Sequence, residues 1–186
     1  LIRKLTIACE VEGVKRLIHI SALGASENAP SRYLRSKAEA EAVLANTDLD
    51  VTILRPSVLF GEGDKFINTF ASILSKTPFM PVVCPKSLLT PVWVEDVAKV
   101  ITQSLTDKRS IGQTYELCGG RSYSLMELWQ LIAEMTHRNV YFMSLSDSLS
   151  RLTARLMGIM PTPVMTFDNY LSLQVPSVCH QSLPFD

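Results

Sequence analysis

The spacing of apolar and polar positions divides residues 1–60 into four regular elements. Residues 2–11 predict a helix, and the apolar run at residues 14–20 is typical of a short buried strand. A second helix is predicted over residues 31–46, capped by Ser31, and residues 51–54 predict a strand covered on both faces. Strand, helix and strand in this order indicate a right-handed parallel crossover, so ligands are expected beyond the carboxyl ends of the strands.

After Gly61 the pattern becomes less regular. It predicts a helix after Asp64, a loop around residues 82–83, a strand at 90–93, a helix from Glu95, a strand at 114–117, a helix after the capping box of Ser124 and Glu127, a strand at 140–142 and a helix from Ser146. The predicted inward positions are Val97, Ala98, Ile101 and Leu105 in one helix, and Leu125, Leu128, Trp129, Ile132 and Met135 in the next. The tail after Val175 contains Pro176 and Pro184 and is predicted to be extended.

Composition and charge exclude several classes of function. The chain has 18 basic and 18 acidic residues and no strong segregation of either sign, so nothing in it indicates nucleic-acid binding. Four cysteines (Cys9, Cys84, Cys118 and Cys179) form no C-x-x-C pair, which favours reduced thiols in a cytosolic-type setting. His137 and His180 lack metal-ligand spacing with these cysteines, so no metal site is predicted.

The clearest candidate chemistry is a Tyr-x-x-x-Lys pair, Tyr33 and Lys37, at the start of the second predicted helix. One helical turn places both side chains on the same face, and a nearby ammonium is expected to lower the pKa of the phenol. Tyr33 would then exchange a proton with a substrate oxygen, which Ser21, at the end of the preceding strand, would orient.

Each of these residues also has an ordinary structural interpretation. Tyr33 could be a half-buried aromatic residue, Lys37 a solvated charge and Ser21 a hydroxyl that satisfies a turn. Arg55 is interpreted as a structural ion-pair or hydrogen-bond donor near the cleft, and His19 as a hydrogen-bonded core histidine.

Together these motifs resemble the short-chain dehydrogenase/reductase superfamily, in its extended and atypical, NAD-dependent epimerase/dehydratase type. The matching segments are 13–16, Ser21, 33–37, 54–56, Gly61 and 94–98. Residues 19–25, 31–39 and 165–175 are similar to one branch, that of the nucleotide-binding accessory subunit of respiratory complex I. The resemblance implies NAD or NADP as cofactor, with Lys37 on the nicotinamide ribose and the backbone near Pro56 and Val58 beside the nicotinamide.

The resemblance also implies an α/β fold that contains the C-terminal part of a Rossmann-type doubly wound parallel sheet. No Gly-x-x-Gly-x-x-Gly follows an opening strand, so the chain is expected to be a fragment that lacks the glycine-rich half of the domain. Residues 1–62 are assigned to the dinucleotide-binding domain and residues 63–186 to a substrate and lid region. Within that region, residues 90–120 are expected to return to the sheet.

Two functions follow from these observations. The first is an NAD(P)-dependent oxidoreductase or nucleotide-sugar epimerase/dehydratase that acts on a small-molecule substrate. The second is a non-catalytic NAD(P)H-binding accessory subunit that docks on respiratory complex I. For the protein as a whole a cytoplasmic location is expected, with a position peripheral to the inner membrane as the alternative. A late predicted helix carries Leu149, Leu152 and Leu156 on one side and Arg151 and Arg155 on another. It is interpreted either as a lid over the substrate cleft or as a contact with a membrane surface or partner.

Overall fold

A computed structural model describes residues 1–159 and 165–179. Within these residues the elements are α1 (Ile2–Val11), β1 (Arg16–Ile20), α2 (Arg32–Leu44), β2 (Asp50–Pro56), β3 (Leu59–Phe60), α3 (Ile67–Leu74), β4 (Phe79–Val82), β5 (Leu88–Leu89), β6 (Val92–Trp93), α4 (Val94–Thr106), a 3₁₀ turn (Lys108–Ser110), β7 (Thr114–Leu117), β8 (Tyr123–Ser124), α5 (Leu125–Met135), β9 (Tyr141–Ser144), α6 (Asp147–Met157) and α7 (Phe167–Ser172). Most of the elements predicted from the sequence are confirmed, with small shifts at their ends.

The central feature is a parallel sheet of three strands in the order β1, β2, β7. The register places Ile18 opposite Thr52 and Leu54 opposite Tyr115. Helix α4 covers one face, where Val97 joins Leu54 in a buried apolar cluster. Helix α2 covers the other face, so the predicted parallel crossover of strand, helix and strand is confirmed. Strand β7 returns the chain to the sheet, whereas the boundary after residue 62 stays a prediction.

A buried polar cluster also ties the sheet to α4. The Arg16 guanidinium donates to the carbonyl oxygens of Asp50 and Ser104 and to the hydroxyls of Thr52 and Ser110, over 2.5 to 2.7 Å. Because these acceptors come from β2, the end of α4 and the 3₁₀ turn, one side chain fixes four segments that are distant in sequence. Such a cluster stabilises the fold only when its polar groups are paired.

The second region is built from three strand pairs, β3 with β6, β4 with β9 and β5 with β8, and from α3, α5, α6 and α7. Its main core is apolar. The rings of Phe70 and Trp129 stack with their centroids 3.8 Å apart, and Leu74, Leu125 and Leu128 are buried around them. Burial of this aromatic and aliphatic surface is the main stabilising term for the region.

Local capping signals were reliable guides to where helices begin. The Ser31 hydroxyl accepts from the Leu34 N–H at the start of α2, and Ser146 caps α6 in the same way. The capping box of Ser124 and Glu127 is present at α5. The caps predicted at Ser31 and Ser124, and the helix predicted to begin near Ser146, are confirmed because a cap depends on a few neighbouring residues rather than on tertiary contacts.

Three structural predictions are wrong. The predicted loop around residues 82–83 begins as strand β4, which pairs with β9; a proline is tolerated there because each strand has a single neighbour. Leu105 and Ala98 on α4 are exposed, because Val97, Val100 and Ser104 form the inward face. Met135, at the end of α5, is exposed as well.

The cysteine prediction needs correction too. Cys118 and Cys179, which lie 61 residues apart in sequence, form a disulfide, while Cys9 and Cys84 are free. Sequence spacing could not indicate this pair, because only the tertiary fold brings the residue after β7 next to the segment after α7. Among the described residues, no helix combines the length and the apolar character that crossing a bilayer requires.

Candidate functional site

A cleft of about 600 Å³ opens at the carboxyl ends of β1 and β2. All five site residues predicted from the sequence line it: Ser21, Tyr33, Lys37, Pro56 and Val58. They meet because parallel strands present their carboxyl ends on one edge and because α2 starts directly above that edge. The volume lies in the range of ligand-binding pockets. The individual roles assigned to these residues remain predictions.

Lys37 is anchored at the end of β1. Its Nζ atom donates a hydrogen bond to the carbonyl oxygen of Ile20 over 3.0 Å. The same Nζ atom lies over the Tyr33 ring, 5.8 Å from the ring centroid. The predicted pairing of both side chains on one helical face is therefore present. The ammonium contacts the face of the ring, an arrangement that is favoured by the negative potential of the aromatic face.

The predicted effect of Lys37 on the Tyr33 phenol is wrong. Burial of part of the Tyr33 side chain raises the pKa of the phenol above its ordinary value of 10.0. A cation lowers this pKa when it faces the phenol oxygen, but Lys37 is held over the ring and by the Ile20 carbonyl. In this arrangement Tyr33 is a neutral phenol at pH 7, able to donate a hydrogen bond and unable to act as a ready base.

Ser21 is buried, and its hydroxyl donates to the carboxylate of Glu41. Arg55 binds the same carboxylate, with 2.9 Å between Arg55 Nε and Glu41 Oε1. The predicted structural ion pair of Arg55 is confirmed, and the bond to Glu41 raises the pKa of the guanidinium. The Ser21 proton is thus directed under α2 and is not presented to the cleft.

Glu41 was missed by sequence reasoning. It lies one helical turn after Lys37, so Tyr33, Lys37 and Glu41 follow one another along a single face of α2. The signal that could have found it is this third polar residue at the same spacing. A buried carboxylate on that face needs a cationic partner, which Arg55 provides.

His19 lies beneath α2, and its Nε2 atom is buried with no hydrogen-bond partner among the described residues. The prediction of a hydrogen-bonded core histidine is therefore wrong for this nitrogen. Burial and the nearby Lys37 ammonium lower the pKa of His19, while Glu41 opposes that shift. The imidazole is accordingly neutral at pH 7.

Residues 172–177, here called the closing segment, form one wall of the cleft. The carbonyl oxygen of Ser177 accepts from the Thr90 N–H over 2.9 Å, and its hydroxyl lies 2.9 Å from that of Ser57. Val175 packs against Gly24, where an added Cβ would lie 2.9 Å from Val175 Cγ1 and where the φ angle is +79°. Sequence reasoning missed this wall because more than a hundred residues separate it from β2.

Helix α7 also fixes the start of α2. The carboxylate of Asp168 accepts from the backbone N–H of Arg32 over 2.7 Å and from that of Tyr33 over 3.0 Å. A carboxylate at a helix N-terminus is stabilised by the unpaired N–H groups there. Asp168 therefore holds in place the helix that carries Tyr33 and Lys37. In contrast, α6, predicted as a lid, contributes no described residue to the lining of the cleft.

Residues 1–159 and 165–179 contain no group of three histidine, cysteine or acidic side chains that could hold a metal ion. His180 and Pro184 lie outside the described residues. The cleft is mainly apolar, with the Tyr33 phenol and the Lys37 ammonium at the sheet edge, and it is also lined by Glu62, Asp64 and Lys65. The phenol, the Lys37 ammonium and the apolar surface fit the ribose and nicotinamide end of a dinucleotide.

Comparison with known proteins agrees with this geometry. A family model described as NAD(P)H-binding matches residues 1–108. The rat mitochondrial protein "NADH dehydrogenase [ubiquinone] 1 alpha subcomplex subunit 9" is 33% identical over 98% of this chain and 49% of its own length. The Arabidopsis thaliana protein of the same name is 37% identical over 69% of this chain and 33% of its own length. The chain thus spans about half, or less, of the curated relatives it matches.

Solved structures share the fold. The NADPH-dependent quinone oxidoreductase QOR2 of Escherichia coli superposes with a TM-score of 0.73 at 18% identity, covering 93% of this chain and 58% of that one. A nucleoside-diphosphate-sugar epimerase of Staphylococcus aureus gives a TM-score of 0.70 at 17% identity, with the same two coverages. The predicted Rossmann-type α/β fold is confirmed by these superpositions, and the NAD(P)H-binding family match confirms the predicted cofactor, NAD or NADP. Because the matched family region spans more than half of the chain and contains all five predicted site residues, this chain belongs to the NAD(P)H-binding family.

Proposed function

We propose that this chain is the dinucleotide-holding part of an accessory subunit of a respiratory NADH dehydrogenase complex, and that it binds NAD(P)H without turnover. The observation that carries this proposal is the state of Ser21. Ser21 lines the cleft, but its hydroxyl proton is donated to the buried Glu41 carboxylate, so that proton is not available to a substrate oxygen. The raised pKa of the Tyr33 phenol supports the same conclusion, because a base for proton abstraction is lacking.

Binding itself is well supported by the cleft. The Lys37 ammonium has donors beyond the one given to the Ile20 carbonyl, and these suit the hydroxyls of a ribose. The Tyr33 phenol, about half exposed, can donate to the same sugar or to the nicotinamide amide. Pro56 and Val58 provide an apolar surface for the nicotinamide ring. A bound dinucleotide would supply hydride chemistry, and these residues would bind and orient it.

The partner in this proposal is suggested by the relatives. The rat and Arabidopsis proteins are named as mitochondrial subunits of NADH dehydrogenase, and the rat protein aligns with nearly the whole of this chain. A location at the periphery of the inner membrane, bound to the respiratory complex, is therefore part of the proposal. Co-purification of the full-length protein with respiratory-complex subunits is the expected result, and recovery only as a free protein would contradict the proposed partner.

A second candidate function is an oxidoreductase or nucleotide-sugar epimerase/dehydratase with a small-molecule substrate. One observation favours it: Tyr33 and Lys37 are both present, on one face of α2 and at the edge of the cleft. In this alternative Tyr33 donates a proton to a substrate oxygen as a neutral acid. In such an enzyme, the Ser21 hydroxyl would have to break its hydrogen bond to Glu41 and donate to the substrate oxygen instead.

Dinucleotide affinity tests the shared part of both functions. Titration of the full-length protein with NADH and NADPH, followed by nicotinamide fluorescence, should give saturable binding of at least one of them. The Lys37→Met change should weaken it about tenfold, because a charge-assisted hydrogen bond is lost. Lys99→Met is the matched control, since Lys99 also lies over an aromatic ring, 5.5 Å from the centroid of Trp93 and away from the cleft. Equal losses of dinucleotide affinity in both variants would show that Lys37 is not part of the binding site.

Turnover separates the two functions. With NADH or NADPH and a panel of carbonyl and nucleotide-sugar substrates, the proposed subunit shows no catalysed consumption of substrate. Turnover that is lost in Tyr33→Phe and kept in Tyr141→Phe would establish the enzyme instead. Tyr141 is a suitable control because it is an exposed tyrosine in the second region.

A further inference from the structure

Helix α6 presents a row of leucines to solvent. Leu149, Leu152 and Leu156 are 51%, 53% and 59% exposed, and Ile159, just after the helix, is exposed as well. Their spacing of three and four residues aligns them along one side. A contiguous row of this kind is uncommon on the surface of a protein that acts alone in water.

The opposite side of α6 already has its partners. Ser150 and Ala154 are fully buried, and the Ser150 hydroxyl accepts from the Cys84 N–H over 3.2 Å. At the start of the helix, the Asp147 carboxylate accepts from the Tyr170 hydroxyl over 2.9 Å. Because small residues face the core, the long apolar side chains are left to face outward. The leucine row is therefore the consequence of how α6 packs.

Basic side chains border this row. Arg151 and Arg155 are exposed members of α6, and no carboxylate of the described residues forms an ion pair with either of them. The Arg155 guanidinium lies over the Phe167 ring, 5.0 Å from its centroid. It shares a shallow hollow with Arg32, Arg35 and Ile159, so three arginines line this hollow. Arg151 lies one helical turn before Arg155 on α6.

Two acidic groups lie close to these arginines, the exposed Asp147 and the half-buried Asp168, and each accepts hydrogen bonds within the chain. Asp147 binds the Tyr170 hydroxyl, and Asp168 caps the start of α2. The exposed surface around α6 therefore has an apolar row along the helix and, beside it, more arginines than carboxylates. Of the described helices with at least eight residues, α6 has the strongest separation of apolar and polar faces.

We propose that α6 lies flat on an anionic membrane surface, with Leu149, Leu152 and Leu156 in the acyl boundary and Arg151 and Arg155 at lipid phosphates. A helix with a narrow leucine face, low mean hydropathy and arginines at its border has the character of an interfacial helix. It would rest on the membrane, consistent with the absence of a spanning helix in the described residues. This inference deepens the peripheral location proposed above by naming the surface.

Two other occupants fit less well. A second copy of this chain would bring the arginines of both α6 helices together, and the only acidic residue of the helix, Asp147, is already bonded. A protein partner is usually recognised through aromatic anchors, whereas leucine is under-represented among the residues that dominate such interfaces. The outward row of α6 is entirely aliphatic. In a membrane surface, acyl chains can contact the leucines and lipid phosphates can bind the arginines.

Co-sedimentation of the full-length protein with vesicles tests the proposal. Vesicles of phosphatidylcholine mixed with phosphatidylglycerol should bind it more tightly than phosphatidylcholine alone, and salt should weaken the binding. The triple change Leu149→Ser, Leu152→Ser and Leu156→Ser should lower the partition coefficient at least about tenfold. The control is Leu105→Ser with Met135→Ser, which are equally exposed apolar residues on α4 and α5. This control should bind as the wild type does.

The arginines give a separate readout. Arg151→Gln with Arg155→Gln should weaken binding to the mixed vesicles by about fivefold for each charge removed and leave binding to neutral vesicles unchanged.

An equal loss in the leucine variant and its control, or no vesicle binding at all, would overturn the proposal. Concentration-dependent dimerisation that the leucine changes abolish would assign the row to a second copy. Binding to purified respiratory complex that these changes abolish, without vesicle binding, would assign it to a protein. None of these outcomes depends on dinucleotide binding, so the proposed function is tested separately.

Discussion

The sheet and the second region are held together by different kinds of contact. In the sheet, the half-buried Arg16 and the buried Glu41 join strands and helices through clusters of hydrogen bonds. In the second region, the elements are joined mainly by an apolar core around Trp129 and Phe70. Polar clusters fix the positions of particular atoms because their geometry is directional, whereas apolar cores mainly require that space be filled. The predicted site residues Tyr33 and Lys37 accordingly lie on the sheet side of the molecule, on the same helix as Glu41.

Loss of the central aromatic contact should have the largest effect on stability. Trp129→Ala removes the ring that stacks on Phe70 and leaves a cavity beside Leu128. The expected loss in the free energy of unfolding is about 3–5 kcal/mol. Urea denaturation followed by circular dichroism measures it. Trp93→Ala is the control because Trp93 is about half exposed, and a similar loss for both variants would contradict the comparison.

The disulfide joins the two regions, so its removal should cause the second-largest loss in the free energy of unfolding. Cys118→Ser opens the link between the residue after β7 and Cys179, two residues beyond the closing segment. Under oxidising conditions the loss is expected to be about 3 kcal/mol, because the unfolded chain regains the freedom of a long loop. Thermal unfolding with and without dithiothreitol provides the measurement. The wild type and Cys84→Ser should respond to the reductant, while Cys118→Ser should not.

Removal of the Glu41 carboxylate should destabilise the sheet side. Glu41→Ala leaves Arg55 and the Ser21 hydroxyl without their acceptor. We expect a loss of about 2 kcal/mol, less than for a fully buried ion pair because Arg55 is partly open to solvent. Urea denaturation measures this loss.

The change should also weaken NAD(P)H binding, since Ser21 directly follows β1 and Arg55 lies near the end of β2, at the edge that forms the cleft. The exposed Glu39→Ala is the control on the same helix. If Glu41→Ala loses stability but binds NAD(P)H as tightly as the wild type, the Ser21–Glu41–Arg55 cluster does not contribute to the binding site.

The smallest expected effect is a dependence of stability on pH through His19. Its folded-state pKa lies below its ordinary value of 6.5, so the unfolded chain binds more protons as the pH falls below that value. The free energy of unfolding should therefore decrease on acidification from pH 7 and level off once the folded-state pKa is passed. In His19→Gln this part of the slope should disappear. His137→Gln, at an exposed position, should retain it.

Residues with local signals were predicted well. The caps at Ser31 and Ser124 and the helical face shared by Tyr33 and Lys37 depend on neighbours within one helical turn. Predictions failed where distant groups decide the outcome. The ammonium of Lys37 was expected to act on the phenol of Tyr33, but the Ile20 carbonyl and the position over the ring determine where it lies.

The sequence by itself determined the order of elements, the parallel crossover and the residues that line the edge of the cleft, because hydrophobic periodicity and helix caps act over short distances. Only the tertiary structure decided the environment of those residues. Glu41 takes the proton of Ser21, Asp168 fixes the start of α2, and Cys179 reaches Cys118 across the fold. Each of these contacts depends on the packing of segments far apart in sequence, and the free energy of such packing is not encoded in the spacing of any one segment.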